Sequence, residues 1–320
     1  MHLKLTMTLK DTLAHASQND RIKWVAGFAI LAAAAALGAA AYFIPFGDEP
    51  EAVEVVEAPR PDAFESVRLQ GRAAIVYDLT TGETLYARNA EAQLPLASVT
   101  KLLTIYAGTN ALTETSPVTL TASALATEGE SGFFEGETFS FKDAAKLALV
   151  ASSNDAAAAI AEAAQSKRGI AGSALMASAA NAANLSQTYV LNGTGLDEDT
   201  QMSGGYGSAR DVALLAGALL EKAPDIARAT TQSTISVTSQ NGIPHTMNNT
   251  NQRIVEIPGA LLSKTGFTDL AGGNLVVVFD AGIGHPIAVV VLGSTVEGRF
   301  TDVERLVDAT HAHFAGTSPL

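Results

Sequence analysis

Cysteine is absent from the 320 residues. That excludes a disulfide scaffold, a thiol nucleophile and any cysteine-based zinc site, and it leaves an oxidising compartment harmless to the chain. Basic charge is scarce. Lys+Arg number 20 against 33 Asp+Glu, a net of −13, which argues against a phosphate-backbone binder because such proteins need a basic face. The six histidines (2, 15, 245, 285, 311 and 313) are scattered, and His311 and His313 are two apart, on different sides of a helix. No metal site is implied, and no cofactor. The G-x-S-x-G elbow of Ser-His-Asp hydrolases is also missing. What is present describes a globular protein, 47% apolar and 17% charged, with enough chain for one large domain or two small ones.

Val25 to Ile44 runs without a charge, and twenty helical residues span a hydrocarbon core of about 30 Å. Lys4, Lys10, Arg21 and Lys23 precede the run, and Asp48, Glu49, Glu51, Glu54 and Glu57 follow it. The expected order is therefore a cytoplasmic tail (1–24), a single-pass membrane anchor (25–44) and an exported remainder. A cleaved signal peptide, with Ala39-Ala40-Ala41 as the processing site, is the rival reading. From Gly47 to about Gly71 the chain is acidic and carries Pro50, Pro59 and Pro61, so 45–71 is expected to be a solvated tether. The folded unit is expected over 72–320.

Within it, Ala73–Tyr77 and Thr84–Arg88 read as a hairpin around Thr80-Thr81-Gly82. Helical patterns follow from Ser98 to about Thr109, then over Lys142–Val150, Asn154–Gln165, Ile170–Ala183 and Ala209–Glu221. Three strand-like runs come late, Ala260–Lys264, Asn274–Asp280 and Ile287–Leu292, and an amphipathic helix over Arg299–Phe314 closes the domain. Strands at both ends with helices between them imply an α/β (α+β) fold. Its antiparallel sheet of about five strands comes from the two ends of the domain and packs on an inserted helical region.

Three motifs carry chemistry. In Ser98-Val-Thr-Lys101 the spacing of three puts both side chains on one helix face, where a lysine of depressed pKa could take the serine proton. An isolated motif of this kind also reads as an N-cap serine and a surface lysine. Of the nine lysines, however, only Lys101 has a serine three positions earlier. Ser152-Ser153-Asn154 lies between two helical stretches, where a hydroxyl can relay a proton and an amide can hold a carbonyl or the lysine. Helix capping explains it equally well, and Ser17-Gln-Asn19 and Ser239-Gln-Asn241 share the pattern. Lys264-Thr265-Gly266 ends a strand and offers a charge, a hydroxyl and close backbone approach to a carboxylate-bearing ligand. A strand end running into a turn, with a surface lysine, is its plain reading.

The order and spacing of these motifs form a known signature, Ser-x-x-Lys, then Ser-x-Asn 54 residues on, then Lys-Thr-Gly a further 112 on. With them, Tyr77-Asp-Leu-Thr-Thr-Gly-Glu-Thr-Leu-Tyr86, Leu94-Pro-Leu-Ala-Ser-Val-Thr-Lys101, Ser208-Ala-Arg-Asp-Val-Ala213 and Lys264-Thr-Gly-Phe-Thr-Asp269 are similar to family segments. The chain thus resembles the low-molecular-weight penicillin-binding proteins, specifically serine-type D-alanyl-D-alanine carboxypeptidases, over about residues 70 to 315.

The resemblance implies a penicillin-binding protein/β-lactamase-like fold and the following roles. Ser98 is the acylated nucleophile and Lys101 its general base, with Ser152 and Asn154 as the second-motif pair. Lys264, Thr265 and Gly266 receive the terminal carboxylate of a D-Ala-D-Ala stem peptide of peptidoglycan, or of a β-lactam inhibitor. The backbone N–H groups of Ser98 and Phe267 form the oxyanion hole. Arg210 would lie near the substrate carboxylate, or else pair with a local acid such as Asp211. Some relatives carry a second, β-rich domain and a C-terminal anchor, and both are expected to be absent here, with the N-terminal helix as the membrane attachment.

Three alternatives share the nucleophile or the fold. A class A β-lactamase needs a Glu-x-x-Leu-Asn stretch, and none lies between Ser152 and Lys264, because Thr188 stands three before Leu191. A DD-endopeptidase acting on cross-links differs in cleft and not in motif. A catalytically silent peptidoglycan-binding relative would be favoured by a lost motif residue, and none is lost.

Overall fold

The computed structural model describes residues 18–42, 62–129 and 132–316. The chain divides into two units, Met1–Pro59 and Arg60–Leu320. In the first, an alanine-rich run of high helix propensity forms helix α1 (Gln18–Tyr42). Residues 43 and 44, the end of the expected span, lie outside the described residues, as do 1–17 and 45–61. Among the described residues, no helix is long and apolar enough to cross a membrane.

The second unit is built on five antiparallel strands. They are β1 (Ala73–Asp78), β2 (Thr84–Arg88), β10 (Ala260–Thr268), β11 (Gly272–Asp280) and β12 (Pro286–Ser294), in the order β10-β11-β12-β1-β2. As expected, the two ends of the domain meet. Strand β1 pairs with β12 from Ala73↔Leu292 to Asp78↔Ile287. Both faces of the sheet are covered, so its inner strands read as continuous valine and isoleucine runs instead of alternating ones. Alternation survives in where the side chains go. Val289 and Val291 join Val277 and Phe279 beneath Val303 and Leu306 of the C-terminal helix, while Val290 and Val276 join the larger core on the other face.

That larger core holds the helices α2 (Lys101–Ala111), α4 (Phe141–Val150), α5 (Asn154–Arg168), α6 (Gly172–Ala182) and α7 (Ala209–Lys222). A short α3 (Ala122–Leu125) precedes α4, and α8 (Pro224–Ala229) and α9 (Gly298–Ala315) complete the set. Caps set the starts. Ser140, Ser153 and Ser208 accept from backbone N–H groups three residues on, opening α4, α5 and α7.

Small pairings absent from the sequence reading join the helical region: β3 (Leu94–Pro95), β6 (Tyr189–Val190) and β7 (Gly205–Gly207) in one sheet, β4 (Pro117–Thr119) with β5 (Thr138–Ser140), and β8 (Thr234–Thr238) with β9 (Pro244–Asn248). The tether also ends earlier than expected. Ala63 and Phe64 are buried against α9, and the Gln70 and Gly71 N–H groups donate to the buried Asp302 carboxylate. Residues 62–71 are therefore part of the fold, because an apolar pair and a buried carboxylate need them.

Candidate active site

Ser98 lies in a single 3-10 turn, Ala97–Thr100, that feeds directly into α2. Ala97, just before it, adopts φ +48° in the left-handed region, which turns the chain sharply ahead of the hydroxyl. Lys101 is fully buried. Its Nζ donates at 2.8 Å to Ser98 Oγ, 2.7 Å to Asn154 Oδ1 and 2.8 Å to the Thr194 carbonyl. No carboxylate is among these partners, so burial prevails and pushes the amine down to about 7. A neutral amine has two N–H donors and one lone pair. With Asn154 and Thr194 as obligate acceptors, the lone pair faces the one partner able to donate, the Ser98 hydroxyl.

The second motif fills two places. Ser153 caps α5, as the capping reading expects, and that leaves Ser152 and Asn154 free for the cleft. Ser152 is itself left-handed, φ +60°, and its Oγ accepts from Lys264 Nζ at 2.9 Å. Asn154 Nδ2 donates to the Glu128 carbonyl at 2.6 Å, fixing which face of its amide meets Lys101.

Lys264 differs from the sequence expectation. Strand β10 continues through the motif to Thr268, and the lysine is only 1% exposed, not a surface strand end. Its Nζ also donates to the Thr265 carbonyl at 2.7 Å. Burial, then the charges of Lys101 and Arg299, hold it well below the ordinary lysine range. Thr265 Oγ1 lies 2.6 Å from Thr250 Oγ1, so a second hydroxyl orients the first. Gly266 needs to be glycine, since a Cβ there would stand 2.8 Å from the Leu96 carbonyl and 3.1 Å from the Val99 nitrogen. That close approach lays β10 beside the turn carrying Ser98. Phe267 is half exposed at the rim.

Arg210 is not part of this cluster. Its guanidinium pairs with Glu91, donates to Thr84 Oγ1 at 3.1 Å and lies over the Tyr77 ring. The local acid Asp211 is engaged elsewhere, accepting from Gln187 N and Thr188 Oγ1.

Sequence reasoning missed Thr194, Thr250, Glu128 and Arg299. Thr194 and Glu128 act through backbone carbonyls, which no side-chain motif reports. A signal for Thr194 did exist in Asn192-Gly-Thr-Gly195, where Asn192 Oδ1 accepts from the N–H groups of Thr194 and Gly195 and fixes the turn. Among the described residues, no group of three His, Asp or Glu could hold a metal.

A buried amine of lowered pKa, a serine hydroxyl and a lysine-bearing strand in one cluster have the chemistry that acyl transfer needs, and the chain also resembles known proteins. The family model described as D-alanyl-D-alanine carboxypeptidase, peptidase S11, matches residues 57–295. The chain is 30% identical to the D-alanyl-D-alanine carboxypeptidase DacF of Bacillus subtilis over 262 residues, covering 78% of this chain and 64% of the relative. It is also 30% identical to DacA of Escherichia coli over 273 residues, covering 79% of this chain and 64% of the relative. It thus spans somewhat less than two thirds of the length of these relatives. The structure of penicillin-binding protein D2 from Listeria monocytogenes, solved in cefotaxime- and ampicillin-bound forms, resembles this one. For the cefotaxime form the TM-score is 0.64 at 27% identity, over 76% of this chain and 98% of that one. This chain belongs to the D-alanyl-D-alanine carboxypeptidase family.

Proposed function

We propose that the chain is a serine D-Ala-D-Ala carboxypeptidase that removes the terminal D-Ala from peptidoglycan stem pentapeptides and is inhibited by β-lactams. The observation that carries the reading is the buried Lys101 amine aimed at Ser98. Neutral Lys101 takes the hydroxyl proton as Ser98 Oγ attacks the penultimate D-Ala carbonyl. Negative charge develops toward the Ser98 and Phe267 N–H groups. Collapse breaks the peptide bond and releases D-Ala. Its amine takes up the proton through Lys101, or through Ser152, whose Oγ already accepts from Lys264. Water then cleaves the Ser98 ester. Lys264 and the Thr265 hydroxyl receive the free carboxylate. A bound carboxylate supplies the counter-charge that Lys264 lacks, so substrate favours its ammonium form.

A free C-terminal carboxylate is what distinguishes the carboxypeptidase substrate, and the buried Lys264–Thr265 edge is suited to it. The test gives the protein three substrates side by side: stem pentapeptide, cross-linked dimer and penicillin. Release of one D-Ala from the pentapeptide, with a persistent penicilloyl adduct on Ser98, supports the reading. Faster cleavage of the dimer moves the assignment to endopeptidase, rapid turnover of penicillin to β-lactamase, and no reaction at all to a silent relative.

We propose in addition that the N-terminal segment holds the catalytic unit at the outer face of a cell membrane. The uncharged run 25–44 and its flanking charge asymmetry support this. Protease added to spheroplasts should digest the catalytic unit, which in untreated cells should sediment with the membrane fraction. A mature N-terminus near Tyr42 would replace the anchor with a cleaved signal.

A further inference from the structure

Arg299, at the start of α9, is a cation where none is expected. It is 8% exposed and among the described residues forms no ion pair, and its Nε is buried without a hydrogen-bond partner. The one described hydrogen bond of its guanidinium runs from Nη1 to the Gly266 carbonyl at 2.8 Å. The guanidinium carbon lies over the Phe300 ring, 4.7 Å from its centroid. A buried guanidinium without an ion pair is costly, and burial lowers its pKa against the weaker opposing charge of Glu297, so an arrangement of this kind calls for a use.

The use follows from peptide geometry. In a trans peptide the carbonyl of one residue and the N–H of the next point in opposite directions. No cis bond occurs among the described residues. With Gly266 C=O held by Arg299 on one side, the Phe267 N–H of the same peptide points the other way. Gly266 itself packs closely on the turn that carries Ser98, where a Cβ would stand 2.8 Å from the Leu96 carbonyl and 3.1 Å from the Val99 nitrogen. The peptide is conjugated, so a cation on its oxygen draws electron density from nitrogen and makes the N–H a stronger donor. A guanidinium cannot lose its charge at working pH, so the polarisation persists where a lysine beside Lys101 and Lys264 would titrate.

We propose that Arg299 is a positioning residue for acyl transfer, fixing the Gly266–Phe267 peptide and strengthening the Phe267 N–H that stabilises the oxyanion. This rests on the acyl-transfer reading above. No group of Arg299 touches substrate; it acts through one peptide bond.

The experiment compares wild type, Arg299→Lys and Arg299→Gln in the full chain. Three measurements are made: D-Ala release from pentapeptide, melting temperature, and the infrared carbonyl stretch of the penicilloyl ester on Ser98. Direct loss of one oxyanion donor costs about 10²–10³ in kcat, and weakening one through its peptide should cost about tenfold. The expected result for Arg299→Gln is that loss in kcat with KM within about twofold, and an ester carbonyl shifted to higher frequency. Arg299→Lys should recover part of both, while the pH midpoint of acylation stays with Lys101. An unchanged carbonyl frequency and kcat in a folded Arg299→Gln protein overturns the proposal. So does a kcat loss in both variants that only follows the melting temperature, with the frequency fixed. Absence of any Ser98 adduct in wild type would instead overturn the underlying acyl-transfer reading, so the two failures are distinguishable.

Discussion

Lys264 and Ser152 stand 112 residues apart, and the lysine Nζ donates to the serine Oγ at 2.9 Å. This contact joins the second and third motifs. It also explains why Ser152 tolerates a left-handed backbone, since the strained φ aims its hydroxyl at a buried amine with no carboxylate partner.

Replacing that amine should separate activity from folding. A buried lysine exchanged for an apolar residue of similar volume is often neutral for stability, because the desolvation penalty leaves with the charge. Lys264→Met should therefore melt within a few degrees of wild type. Pentapeptide hydrolysis should fall at least about 100-fold, as expected for an interaction worth about 3 kcal/mol. Lys264→Ala is the poorer probe, since it adds a cavity cost of about 2 kcal/mol or more in a fully buried site. Parallel losses of activity and melting temperature in the Met variant would contradict the binding role.

Ser98→Ala should abolish covalent labelling by penicillin. The side chain is only half buried and its described hydrogen bond is the one from Lys101, so the stability change should stay near 1 kcal/mol. Intact-protein mass spectrometry after incubation with penicillin reads the adduct directly. Labelling that survives the substitution would place the nucleophile elsewhere.

Much of this was legible in the sequence, for identifiable reasons. The sheet could be read because its inner strands β1, β11 and β12 are runs dense in valine and isoleucine, and the site because Ser98, Lys101, Ser152, Asn154 and Lys264 are side chains in fixed spacings. What stayed hidden acts through backbone or long-range pairing. The Thr194 and Glu128 carbonyls leave no side-chain trace, and β3 and β6 are two-residue strands below any periodicity. Arg299 is 33 residues from the carbonyl it holds. Arg210 lies in a segment similar to the family's, while the acid it pairs with, Glu91, is 119 residues away in sequence and could not be read from it.

Gly195 tests how the site depends on one turn. Its φ is +77°, and a Cβ there would stand 2.0 Å from the Ala97 carbonyl and 2.8 Å from Thr100 Oγ1, both in the turn that carries Ser98. Nothing flexible separates these atoms, so Gly195→Ala should destabilise by about 3 kcal/mol or more. Because the Thr194 carbonyl is displaced with it, acylation should drop further than the melting temperature predicts. Calorimetry with a penicillin-binding rate measured well below the melting point separates the two. A variant of wild-type stability would show that the turn yields.

The sharpest prediction concerns pH. Lys101 titrates at about 7 in the folded protein against about 10.5 in its ordinary state, through burial. As base it must be neutral, so the acylation rate should rise with pH and level off above a midpoint near 7. Stability should follow in the same direction. Between about 7 and 10.5 the unfolded chain holds a proton at this lysine that the folded chain has released. Unfolding therefore takes up protons there, and stability rises with pH across that window. As pH falls back toward 7 that contribution is lost. Lys264 contributes with the same sign, so wild type alone cannot assign the effect. Lys101→Met removes one titration and keeps the other. The melting temperature of wild type should therefore climb relative to that variant between pH 7 and 9, while the variant shows no acylation at any pH. A wild-type acylation midpoint above about 9 would mean that Lys101 keeps its charge at neutral pH, and the base would have to be sought elsewhere.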